Sequence, residues 1–64
     1  MKRTALLRYM RKHGCILKRE GRQHSLWTNP LNGKIEAVPR HTEIPDLLAH
    51  KICRGLEIPE IGKQ

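Results

Sequence analysis

Apolar residues recur along the chain in different rhythms, and each rhythm predicts an element. Leu6, Leu7 and Met10, with Tyr9 flanking, have helical spacing. Thr4 is placed to cap a helix running to about His13, where Lys12 and His13 suit the negative end of the helix dipole. Gly14 then stands where a left-handed residue ends such a helix. Residues 15–20 read as a strand, Gly21-Arg22 as the start of a turn, and His24–Thr28 as a second strand. The segment Asn29-Pro30-Leu31-Asn32-Gly33 carries both Pro and Asn-Gly, a strong hairpin signal, and Lys34–Val38 follows as a third strand stopped by Pro39. Pro45 fits the first turn of a second helix, with Asp46 close behind. Leu48, Ile52 and Leu56 recur every four residues with Ala49 and Cys53 beside them, so one face of this helix packs on the sheet. Gly55 weakens its end, Pro59 stops any continuation, and residues 60–64 read as a short tail.

The predicted class is therefore α+β, with order α-β-β-β-α in a single domain over residues 1–64. A three-stranded antiparallel sheet has two helices on one face and the other face open. That order matches the double-stranded-RNA-binding fold in miniature. Strand alternation sends His24, Leu26 and Thr28 to one face and Ser25 and Trp27 to the other. If Trp27 lies in the core, His24 points to the open side.

Composition narrows the function. The chain has 64 residues, a net charge of +7 and 38% hydrophobic residues, enough for one small core. Its 3% aromatic content argues against a base-stacking platform such as an RRM or OB-fold. No apolar run approaches a membrane span and no secretory h-region follows Met1. Residues 4–13 lack the broad apolar face of a membrane-surface helix. Cys15 and Cys53 have no CxxC spacing and read as reduced, buried thiols of a cytoplasmic protein. The charge is concentrated: residues 1–34 hold nine Lys or Arg against Glu20 alone, while residues 35–64 hold four basic and five acidic side chains. A polyanion-facing half joined to a near-neutral half is the footprint of nucleic-acid binding.

Candidate chemistry converges on His24, which opens the second strand directly after a glycine-led turn in the most basic stretch. Histidine moves protons near neutral pH, and an RNA 2′-hydroxyl needs a base to become a nucleophile. Lys18, Arg19, Arg22 and Lys34 are the candidate phosphate contacts, able to stabilise the charge of a pentacoordinate transition state. His41 falls in the loop before the second helix, as a second site residue or as a loop residue bonding backbone. His13, His24, His41 and His50 lack metal-ligand spacing, so neither metal nor other cofactor is expected. The residues by themselves leave two other classes open: a non-catalytic RNA-binding module of this fold, and a basic protein-interaction partner.

Longer motifs carry a resemblance. Lys-Arg-x-x-x-Leu-Leu comes first, then Lys-His-Gly-Cys, then Arg-Glu-Gly-x-x-His-Ser-Leu-Trp-x-Asn-Pro. Asn-Gly-Lys, Val-Pro-Arg-His-x-Glu-Ile and Gly-Leu-Glu-Ile-Pro follow. In this order and spacing the chain resembles the HicA (YcfA-like) toxins of prokaryotic toxin–antitoxin pairs, from about Lys2 to Ile58. The resemblance implies a double-stranded-RNA-binding-like fold and a metal-independent endonuclease that cleaves mRNA and blocks translation. It implies one essential histidine, falling on His24, and a cognate HicB-like antitoxin that covers that histidine and the RNA surface. Pro39 and His41 fall on the family's Pro-x-His segment. Many members carry a small pair such as Gly-Ser before the histidine. Here Arg22-Gln23 stands in its place, a bulkier and charged turn that adds a phosphate contact or narrows access.

Overall fold

The computed structural model describes residues 1–61, so the last part of the expected tail, residues 62–64, lies outside the described residues. The elements are α1 (Arg3–Lys12), β1 (Ile16–Glu20), β2 (His24–Asn29), β3 (Lys34–Pro39) and α2 (Asp46–Gly55). The strands form one antiparallel sheet in the order β1-β2-β3, as the pattern predicts. Leu6, Leu7 and Met10 of α1 and Ala49, Ile52 and Cys53 of α2 share one core with Trp27, Val38, Ile44 and Leu56. Both helices therefore cover the same face, and the opposite face is open.

The element ends show where local rules hold and where contacts override them. Gly14 has φ +89, and behind it the Gly14 and Cys15 N–H groups donate to the Arg11 and Met10 carbonyls at 3.0 Å. This is a Schellman closure with Cys15 and Met10 both buried. The end of α2 closes the same way through Glu57 and Ile58, donating to Arg54 and Cys53, but here the left-handed residue is Glu57 at φ 58. The start of α1 differs from expectation: Lys2 rather than Thr4 is the N-cap and makes no side-chain cap. The Thr42 carbonyl accepts the Arg3 N–H at 2.8 Å, supplying from a distant loop what a capping hydroxyl would supply locally. Pro45 likewise stands just before α2, at its N-cap.

The expected tail begins inside the packed structure. Ile61 packs against the core, Glu60 meets His50 Nδ1 at 3.8 Å, and Tyr9 Oη donates to the Pro59 carbonyl at 2.8 Å. Both thiols are free and buried, and burial pushes both upward, which keeps them protonated and unreactive. No described helix is long and apolar enough to cross a membrane.

Candidate active site

Trp27 is 2% exposed and lies in the core, with the Arg11 guanidinium 5.1 Å from the centre of its ring. Alternation along β2 therefore places His24 on the open face, where it is exposed. The hairpin loop spans residues 30–33, with Asn29 paired to Lys34, so β2 and β3 run in register to His24 opposite Pro39. One step further the Arg40 N–H donates to the Gln23 carbonyl at 3.1 Å. Gln23, His24, Arg40 and His41 consequently line one cleft of about 410 Å³.

An ionic clamp fixes the turn that carries His24. Arg40 Nη1 donates to Glu20 Oε1 at 2.7 Å and to the Gly21 carbonyl at 3.3 Å. Ser25, 1% exposed, donates from Oγ to the same Glu20 oxygen at 2.6 Å. Its hydroxyl accepts from Arg3 Nη2 at 2.9 Å, and Arg3 Nε donates to the Pro39 carbonyl at 2.8 Å. The Ser25 hydrogen bond, helped by the charges of Arg40 and Arg3, holds the Glu20 carboxyl below the usual carboxylate range. Gly21 closes the turn by donating its N–H to the His24 carbonyl at 2.8 Å. A Cβ at Gly21 would lie 2.7 Å from that same carbonyl oxygen, so the close approach requires glycine.

The clamp depends on an irregularity in β1. Leu17 pairs with Trp27, but Arg19 rather than Lys18 pairs with Leu26, which leaves Lys18 at a β-bulge. The extra residue changes the alternation, placing Arg19 opposite Leu26 and Glu20 opposite Ser25. Without it Glu20 would stand opposite His24 and leave Arg40 and Ser25 without their shared acceptor.

The predicted phosphate contacts separate into two groups. Lys18, Arg19 and Arg22 are exposed around the β1–β2 turn and make no ion pair among the described residues. Lys34 opens β3 opposite Asn29, the far end of β2, about 17 Å along the strands from His24 at about 3.4 Å per strand residue. There its Nζ is 4.0 Å from Glu57 Oε2. Lys2 and Arg3 are also engaged, Lys2 with Glu43 at 3.0 Å and Arg3 in the clamp. Arg40 and Gln23 were missing from the candidates. Counting strand pairs back from the four-residue loop brings Arg40 opposite Gln23, and that was the signal available. Among the described residues, no three His, Cys, Asp or Glu side chains gather as a metal-ligand set.

Beyond His24 the open face mixes apolar side chains with Thr28 and Arg19, which stands opposite Leu26. Ile16, 54% exposed, and Ile35, 45% exposed, flank Thr28, and Leu26 and Ala37 follow toward His24. No protein-family model matches the chain, and no curated protein or solved structure matches it either.

Proposed function

We propose that this chain is a metal-independent RNA endonuclease of the HicA-like toxin kind, cleaving mRNA and so inhibiting translation, with His24 as its acid–base residue. The observation that carries the reading is the setting of His24. It is an exposed histidine in a cleft, held by a hydrogen-bonded turn, with three cations on that turn and the adjoining strand that make no ion pair among the described residues. A ring nitrogen of His24 serves a proton transfer in attack by the 2′-oxygen on the neighbouring phosphorus. The reaction leaves a 2′,3′-cyclic phosphate and a 5′-hydroxyl. Arg19, Arg22 and Lys18 hold the phosphate and offset the charge that builds on it. Lys34, opposite the far end of β2, contacts a more distant phosphate. The apolar stretch Ile16–Leu26–Ile35 supports a second part of the reading, a HicB-like antitoxin seated over this face and His24.

The test is His24→Ala in purified protein with single-stranded RNA, alongside growth arrest on induction. A loss of cleavage of about 10²–10⁴-fold is expected, the usual contribution of one positioned acid–base group. Cleavage should persist in EDTA. Undiminished cleavage by the variant, or loss in chelator, rejects the assignment. RNA binding without cleavage by the wild type points instead to the non-catalytic binding module.

A further inference from the structure

The cleft contains a second histidine that the proposed reaction, with its two proton transfers, can use. From its position we infer that His41 is the partner of His24 in an acid–base pair, a catalytic residue for RNA cleavage. This rests on the nuclease reading above.

His41 lies in a loop, yet the chain on both sides of it is pinned. The residue before it, Arg40, donates its N–H to the Gln23 carbonyl at 3.1 Å and its guanidinium to Glu20. The residue after it, Thr42, accepts the Arg3 N–H at 2.8 Å. The first anchor sits one residue from His24, and the second is the start of α1. Pro39 pairs with His24 and His41 follows two positions later, so both histidines border the same cleft. His41 itself is exposed and contributes nothing to the core.

Two imidazoles suit this reaction because its two ends need opposite help. The 2′-hydroxyl proton passes to one neutral imidazole as the 2′-oxygen bonds to phosphorus. The P–O5′ bond breaks, and the leaving 5′-oxygen takes a proton from the other, protonated imidazole. The protons balance between the two rings, and solvent resets them after product release. A single histidine would leave one of these transfers to water.

A change of leaving group tests the pair. The wild type, His24→Ala, His41→Ala and His41→Gln are assayed on an oligoribonucleotide, then on the same oligonucleotide with a bridging 5′-sulfur at the linkage that is cut. A thiolate leaves without a proton, so the variant lacking the acid recovers and the variant lacking the base does not. The expected result on ordinary RNA is a fall in kcat of about 10²-fold or more for both His41 variants, with KM little changed. On the sulfur substrate one of the two alanine variants returns to within about tenfold of wild type, and the other stays down. Glutamine at 41 follows alanine, because it can hydrogen-bond but cannot carry the proton. Four results overturn the inference: wild-type kcat in His41→Ala, a change in KM alone, wild-type kcat in His41→Gln, or equal losses on both substrates for both alanine variants. A wild type that cleaves while only His24 matters removes the pair and keeps the nuclease. A wild type that leaves RNA intact removes both.

Discussion

At the His24 end of β2 the chain turns through residues 21–23 under an ionic clamp, with Arg40 and Ser25 meeting on one Glu20 oxygen. At the Asn29 end it turns through residues 30–33, where two amides meet on one carbonyl. Asn29 Nδ2 donates to Leu56 O at 2.8 Å and Asn32 Nδ2 at 3.2 Å. The Asn29 side chain also accepts the Leu31 N–H at 3.1 Å, and Asn32 accepts that of Lys34 at 2.8 Å. Leu56 O lies at the end of α2, where carbonyls have no partner within the helix. The amide end thus joins the hairpin to α2, with Asn29 only 4% exposed. The charged end is exposed, and its anchors leave Lys18, Arg19, Arg22 and two histidines exposed to solvent. The comparison separates holding the fold together from holding a reactive residue in place.

Removing the Asn29 side chain should have the largest effect on stability. Asn29→Ala leaves a buried carbonyl with one weaker partner and the Leu31 N–H with none, a cost of about 2 kcal/mol in urea unfolding. Cleavage per folded molecule should stay at the wild-type level; a loss there would mean that the two ends are not separate. Gly21→Ala should do the reverse. The new Cβ forces the turn off the His24 carbonyl and breaks its hydrogen bond, costing about 1 kcal/mol of stability. Cleavage should fall well beyond what the unfolded fraction explains, and a melting curve run beside the assay shows whether it does.

Glu20→Gln sharpens the comparison through pH. A carboxyl whose folded value is depressed stabilises the fold above its unfolded pKa, about 4.3 for Glu. That contribution is lost as pH falls through the lower folded value. Denaturant unfolding between neutral pH and pH 2 should therefore show a shallower acid loss in Glu20→Gln than in the wild type. Some loss remains in both, because Glu43, held low by Lys2 and the N-terminal amine, titrates in the same direction. Superposable profiles would mean that the clamp positions the turn without stabilising the fold.

Much of the architecture was legible because it follows from spacing. The helical rhythm of Leu6, Leu7 and Met10, the alternation through Trp27, and the punctuation by Gly14, Pro39 and Gly33 are local matters. They needed only the geometry of helix, strand and turn. The start of α1 was misplaced because its acceptor comes from Thr42, a contact no local rule contains. His24 was legible from its basic neighbourhood, and its outward direction followed once Trp27 was known to be buried. The role of Arg40 was hidden, since its charge gave no sign of which carboxylate it would meet.

Periodicity and turn chemistry along the chain thus specified the order of elements, the core residues and the basic half that surrounds His24. Tertiary packing decided how the cations are divided: Arg3, Lys34 and Arg40 bind the molecule to itself, while Lys18, Arg19 and Arg22 make no ion pair among the described residues. It also brought His41 to the cleft of His24. The physical reason is register. One extra residue in β1 moves Glu20 from the His24 position to the Ser25 position, and a four-residue loop sets Arg40 opposite Gln23. The loop length leaves a trace in the sequence, but the bulge depends on how strands pair across space, and a linear pattern of residues does not contain that pairing.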